Sequence, residues 1–357
     1  MEKIKKKILL IASTPLANDG LTKIEMDVIQ YNAETINFEI ACGFGFDNQY
    51  GEKLKKEGIV CHELPNKRKV LSYMYAINKL VRKKSYDVVY IHGNSAIMFL
   101  ESFPSKMGGI RVVTHCHNTK SNFMLVHYLI KPFFNLLVDS KIGCSSYASR
   151  WAYCGKNIYT IVNGVDIEKF SFDSTKRNLI RDELGWKNNK VIGHIGRFNK
   201  QKNHNKLIDV FYEMYKKDRD CRLLLIGDGE LRNQIDDLID KKSLSKAVKI
   251  IKYTKSPQDY MQAMDVMVMP SLFEGLCLVA VEAQANGLPI LIDRFFSPET
   301  AISDLVEILD LSASNTKWAR KAWSMILKGR KDVSEQLKNR GMDYSIMMEK
   351  IKEVLNS

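Results

Sequence analysis

Short runs that are apolar at nearly every position recur along the chain, separated by longer stretches with helical spacing. In the first half they are KILLIAS (7–13), INFEIAC (36–42), DVVYIHG (87–93), IRVVTHC (110–116) and SKIGCS (140–145). In the second half they are KVIGHIG (190–196), CRLLLIG (221–227), VKIIKY (248–253), DVMVMP (265–270) and LPILID (288–293). A strand that is apolar throughout is buried on both faces, as in a parallel sheet covered by helices. Regular alternation of such strands with helices predicts doubly wound α/β domains.

The alternation pauses over residues 163–190, where NGVDIEKFSFDSTKRN is polar and turn-rich and suits a linker. Two domains follow, 1–172 and 173–341, with a helix over 342–357 expected to pack back on the first. The 357 residues, 45% of them hydrophobic, suffice for two cores. Two open α/β sheets joined in this way are expected to face each other across a cleft, with ligands at the carboxyl ends of the strands.

Formal net charge is +13 and forms no basic tail. It favours anionic partners, and charge alone does not choose among phosphorylated ligands, membranes and nucleic acid. Basic residues interleaved with aromatics, as a nucleic-acid surface needs, are not apparent. The seven cysteines form no CxxC pair and mostly sit in apolar runs, which argues against a disulfide framework or zinc site and for a reducing cytoplasm. The start, MEKIKKKILLIAS, has an apolar part (Ile8 to Ala12) too short for a secretion signal and reads as a basic lead-in to a buried strand. No run approaches the length of a membrane span.

Chemistry concentrates in four places. In MPSLFEGLCLVAVEAQANGLPILID (269–293) a strand ends at Pro270 and a helix begins near Leu276. Gly275 permits close backbone approach, and the helix-start amides can hold a phosphate or a sugar hydroxyl. Glu274 and Glu282, eight residues apart, are placed to accept hydrogen bonds from vicinal hydroxyls, or are ordinary surface carboxylates. In VIGHIGRFNKQKNH (191–204) Arg197 and Lys202 follow a strand that ends in Gly196. A guanidinium and an ammonium there suit a diphosphate, or belong to a solvated basic loop. Gly227-Asp228-Gly229 makes a strand-to-helix turn that falls short of a dinucleotide fingerprint. In VVTHCHNTK (112–120), His115 and His117 share a side if the strand continues, as core or as substrate-site histidines.

Together these residues resemble retaining glycosyltransferases of family 4, with the GT-B fold. Glu274 and Glu282 match the family's E-x7-E motif, and Arg197 and Lys202 its diphosphate pair. Asn163 to Asp166 with Phe170 match its interdomain hallmark. The runs IGHIGRFNKQKNH and EGLCLVAVEAQA look like the bacterial capsular and exopolysaccharide branch.

The resemblance implies a first domain that binds acceptor and a second that binds nucleotide-sugar. Arg197 and Lys202 would hold the donor diphosphate, Glu282 the ribose and Glu274 the transferred sugar. Amides of Gly275, Leu276 and Cys277 would cradle sugar and phosphate. Gly20 would approach the phosphates, and His117, with His115 as runner-up, would be the active-site histidine. The chain departs from the pattern at Leu21, where a second glycine is usual, at Cys277, and at RFFSPET (294–300). The implied donor is a UDP-sugar, with no metal; the DxD string at Asp218 and Asp220 reads as a solvated helix end. The implied acceptor is a lipid-linked saccharide. The apolar stretch 121–138, flanked by Lys120, Lys131 and Lys141, is either a peripheral dock on an anionic membrane or a buried core helix. No nucleic acid is expected. The expected location is the cytoplasm, at the inner face of the cell membrane if docking occurs. A non-catalytic sugar-nucleotide-binding component or a GT-B-type epimerase is the competing reading.

Overall fold

Strands apolar at every position need helices on both sides, and the chain supplies them. A computed structural model describes residues 5–16, 20–46, 48–119, 121, 123–252, 254 and 256–357. Lys120, Asn122 and Tyr253, which fall within motifs or strands read from the sequence, lie outside the described residues. The fold separates into two units, one reaching to Val162 and including Met347–Ser357, the other Asn163–Ile346.

The strands of the first unit are β1 (Lys6–Ala12), β2 (Ile36–Cys42), β3 (Val60–Glu63), β4 (Val88–Gly93), β5 (Arg111–Cys116), β6 (Ser140–Gly143) and β7 (Ile158–Thr160). Those of the second are β8 (Lys190–Ile195), β9 (Cys221–Ile226), β10 (Val248–Ile251), β11 (Val266–Met269), β12 (Ile290–Ile292) and β13 (Val306–Ile308). Spatial order is β3-β2-β1-β4-β5-β6-β7 in one sheet and β10-β9-β8-β11-β12-β13 in the other. Pairing within both sheets is parallel. Strand order reverses between β1 and β4, and again between β8 and β11. In doubly wound sheets the ligand crevice opens at such a switch point.

Leu9, Ile11, Val89, Ile91 and Val112 anchor one core, and Leu223, Leu225, Val266, Val268 and Trp318 the other. The basic lead-in opens a central strand of the first sheet, whose residues from Ile8 to Ala12 are fully buried. Three strands that the sequence pattern omits, β3, β7 and β13, are edge strands with mostly exposed or half-buried residues.

The turn-rich stretch after 162 is not a loose linker. It carries helices Ile167–Phe170 and Ser174–Leu184, both within the second unit. Asp166 caps the first of these by accepting from the Lys169 N–H at 3.0 Å. A side chain at Gly164 would strike the Asp343 carbonyl at 2.5 Å, because Val165 and Asp343 form a parallel bridge there. Phe170 is buried, and its carbonyl accepts from Asn286 Nδ2 at 2.7 Å. The NGVD hallmark is therefore a packed joint between residues 163–165 and 342–344.

The last helix, Tyr344–Asn356, packs on the first unit. Lys6 Nζ donates to the carbonyl of Leu355 and Arg111 to those of Val354 and Leu355, satisfying acceptors at the helix end.

Candidate active site

In the second unit the site is built from three loops at the carboxyl ends of β8, β11 and β12. Asn199 turns the first loop by accepting from the Lys202 N–H at 3.1 Å. Asn203, at a φ of 54°, starts the following helix and donates to the Pro270 carbonyl at 3.0 Å. The Leu272 N–H donates to the Gln201 carbonyl (2.8 Å), and Gln201 Nε2 to that of Phe273 (3.0 Å). The Glu274 N–H reaches the Phe295 carbonyl at 3.2 Å, while Asp293 accepts from the N–H groups of Phe295 and Leu311. RFFSPET is thus the outer wall of the Glu274 loop.

These ties bring Lys202 against Glu274, Nζ to Oε1 at 2.6 Å, with both side chains mostly buried. Burial opposes the charge on Lys202, while the Cys277 thiol and Glu274 favour it, and its pKa ends above the usual lysine value. Burial pushes the Cys277 thiol up to about 11, so at neutral pH Glu274 is the group that holds Lys202 charged. Gly196 makes room for this lysine: a Cβ there would press on Lys202 Cε at 3.1 Å.

Arg197 stands apart from that pair. Its guanidinium is 72% exposed and faces Glu230 at 3.3 Å. Its loop is stitched to the next one, since the Phe198 N–H donates to the Asp228 carbonyl at 2.9 Å. Gly227 has a φ of 146°, and a Cβ there would lie 2.0 Å from the Gly196 carbonyl oxygen; at Gly229 it would meet the Phe198 backbone. The GDG turn is structural and supports the Arg197 loop.

Cys277 precedes the helix Leu278–Ala285 and has no capping side chain. The protein crowds Gly275 nowhere: nothing lies within 4 Å of a Cβ built on it. Its φ also lies outside the left-handed region, so neither packing nor backbone demands a glycine. Leu276 is half-buried, and Glu282 is buried in the helix with further interactions of its own. Asp218 ends a helix, accepts from the Asp220 N–H and pairs with Lys190 at 3.3 Å. His194 and His204 lie fully buried beneath the Lys202 loop, their rings 4.8 Å apart.

In the first unit, β5 delivers the histidines. His115 is fully buried and its Nδ1 lies 2.8 Å from Tyr90 Oη. His117, just past the strand, is half-buried, and its Nε2 lies 3.2 Å from His92 Nδ1. Burial lowers the pKa of all three, that of His117 to about 3, so the rings are neutral at pH 7. His92 was not singled out by sequence spacing; strand register alone sets it beside His115.

A second group escaped the sequence entirely. Glu101, fully buried, accepts from Lys67 Nζ (2.6 Å), Tyr73 Oη (2.9 Å) and Ser13 Oγ (3.0 Å). These residues come from three separate stretches of the chain, Lys67 and Tyr73 sharing one, so no local motif marks them. Ser13 and Lys67 of this group also line a cavity of about 540 Å³, together with Arg68, Asn94, Asn118 and Phe123 among others. Gly20 is exposed and opens the helix Gly20–Asn32.

The helix Met124–Leu137 is not the buried core helix of one sequence reading. Only His127, Phe134 and Asn135 are buried. Leu125, Leu129, Phe133 and Leu136 are between 62% and 83% exposed. Of the flanking lysines, the two among the described residues point to backbone carbonyls. Lys131 Nζ donates to the carbonyls of Arg150 and Trp151, and Lys141, itself buried, to those of Cys154 and Lys156. No helix among the described residues is long and apolar enough to cross a membrane.

Two Rossmann-like parallel sheets, each with its polar cluster at the carboxyl ends of the strands, are the architecture of GT-B glycosyltransferases. The fold matches HepE of Anabaena, solved in complex with UDP, with a TM-score of 0.81 over 98% of this chain and 99% of that one at 17% identity. Residues 176–340 match the family model of glycosyl transferases group 1, so the second unit is a group 1 glycosyltransferase domain and the chain is a glycosyltransferase. It is 29% identical over 273 residues to the putative glycosyltransferase EpsF of Bacillus subtilis, covering 71% of this chain and 69% of EpsF. It is 26% identical over 267 residues to the UDP-Gal:alpha-D-GlcNAc-diphosphoundecaprenol alpha-1,3-galactosyltransferase of Escherichia coli, covering 69% and 68%.

Proposed function

We propose that the chain is a retaining, family 4 type transferase that moves a sugar from a UDP-sugar to a lipid-linked saccharide during assembly of a bacterial capsule or exopolysaccharide. The observation that carries this reading is the Lys202–Glu274 pair beside an uncrowded Gly275 and an uncapped helix start. As the glycosidic bond to the donor breaks, negative charge grows on the departing diphosphate. Lys202, the helix-start amides and Arg197 are the groups to stabilise it. Arg197 would leave Glu230 for the phosphates, since an exposed ion pair is weak. Glu274 holds Lys202 in place and accepts from a sugar hydroxyl, and Glu282 takes the ribose. With two cations on one loop, the reaction needs no metal ion.

The acceptor reading rests on the first unit. The cavity beside Lys67 and Arg68 combines amide and hydroxyl groups with the aromatic face of Phe123, a mixture suited to a saccharide. His117 is the neutral, reachable histidine and would hydrogen-bond acceptor or donor sugar. The apolar face of Met124–Leu137 would lie in the membrane interface and bring the enzyme to a lipid carrier. The E. coli relative, whose name specifies UDP-Gal and a diphosphoundecaprenol-linked sugar, supports the donor and acceptor classes.

Calorimetric titration with UDP, GDP and ADP without added metal tests the donor site. Selective binding of UDP is expected. Failure of the folded protein to bind any of them would overturn the reading. NMR of the product anomer tests retention.

A further inference from the structure

Among the described residues one set of metal-ligating side chains converges: His92, His115 and His117, whose donor nitrogens all lie within 4.8 Å of one another. Sheet geometry makes the cluster. His92 on β4 pairs in register with His115 on β5. His117 follows two residues later on the same side, and its N–H donates to the Gly93 carbonyl at 2.9 Å, which extends the alternation past the strand end.

Ring centres are 5.2 Å apart for His92 and His115, 5.0 Å for His92 and His117, and 3.9 Å for His115 and His117. Imidazoles bound to zinc at about 2.0–2.1 Å have ring centres about 3.2 Å from the ion, hence about 5 Å from one another in tetrahedral geometry. Two of the three spacings already have that value. The third needs the His117 ring, the half-buried one, to swing outward by about 1 Å.

Each ring keeps one buried nitrogen without a hydrogen-bond partner: Nε2 of His92, Nε2 of His115 and Nδ1 of His117. The other nitrogen of His115 is held by Tyr90 Oη, the outer hydrogen bond that orients a metal-bound histidine. No carboxylate belongs to the set. Neutral imidazoles without oxygen ligands select zinc, cobalt, nickel or copper over magnesium and calcium.

We propose that His92, His115 and His117 form a binding site for one divalent transition-metal ion of the zinc class, with solvent on the side of His117 supplying a fourth ligand. All three histidines belong to the first unit. An ion bound there occupies a nitrogen of His117 and takes that ring out of hydrogen bonding to a saccharide.

The test uses the full chain, freed of metal by chelation, titrated with Co²⁺ by visible absorption and then with Zn²⁺. Four-coordinate cobalt bands that saturate at one equivalent, that Zn²⁺ displaces and that Mg²⁺ leaves unchanged are expected. His92→Gln and His115→Gln should abolish the bands, whereas His204→Gln in the second unit should keep them. Tyr90→Phe should weaken binding roughly 10–100-fold and covers the case in which the histidine variants fail to fold. Cobalt that stays six-coordinate and weakly absorbing in the wild-type protein would overturn the proposal. So would bands that persist in a folded His92→Gln variant.

Discussion

Lys202 Nζ and Glu274 Oε1 meet at 2.6 Å although 72 residues separate them in the chain. Removing one member leaves the other charged in a mostly buried place, at a cost of about 3 kcal/mol. Lys202→Met should therefore destabilise the protein by about that much, and Lys202→Met combined with Glu274→Gln should recover most of it. Urea denaturation of the wild type and the two variants checks this; equal stability of the single and double variants would refute it. Turnover should fall on the order of 10²–10³ in both, because the positive charge is absent from both.

Arg197 gives the opposite pattern. Its side chain is 72% exposed, so Arg197→Ala should leave the melting temperature unchanged. UDP affinity should drop roughly 10–100-fold by calorimetry, the worth of hydrogen bonds to a charged group. Unchanged affinity would remove Arg197 from the donor site.

Gly275 separates ligand from fold. Since no atom lies within 4 Å of its would-be Cβ, Gly275→Ala should shift stability by no more than about 0.5 kcal/mol. Weaker binding of UDP-sugar with full stability places a ligand against that backbone. Full affinity with full stability would say that nothing docks there.

Burial and the nearby Lys202 hold His204 at about 4, below its unfolded value near 6.5. Between those values the unfolded chain carries the extra proton, so stability is full above about pH 6.5 and declines as pH falls toward 4. The decline from this residue amounts to about 3 kcal/mol. His194 is shifted in the same direction by burial. His204→Phe, in a ring position already packed against Phe198, should flatten the loss between pH 7.5 and 5 in urea titrations. An unchanged slope would show that the proton goes elsewhere.

The outward face of Met124–Leu137 should bind anionic vesicles through apolar contact, with most binding retained in high salt, because Lys131 and Lys141 are tied to backbone carbonyls. Leu129→Glu with Leu136→Glu should abolish co-sedimentation while leaving the fold intact, both positions being exposed. Release of the wild-type protein by salt alone would assign docking to charge instead.

The buried strands were legible because a strand covered on both faces has no polar positions to dilute the signal. β3, β7 and β13 were not, since an edge strand needs apolar residues on little of its surface. Gly275, Glu274 and Lys202 were legible as candidates because backbone approach and charge are written in residue type. His92 and the Glu101 network were not, because parallel pairing and tertiary packing assembled them from distant segments. The apolar content of 121–138 was plain in the sequence, whereas the direction it faces depends on helix packing.

The final helix gives the chain a particular order of assembly. Residues 163–346 are inserted between two parts of one unit, and the closing segment brings Met347, Met348, Ile351 and Leu355 to a core begun some three hundred positions earlier. During synthesis the first unit must wait, one apolar flank uncovered, until the whole second unit has been made. A fragment that stops at 162 carries that exposed flank permanently, and a stable isolated unit would need 347–357 grafted directly after it.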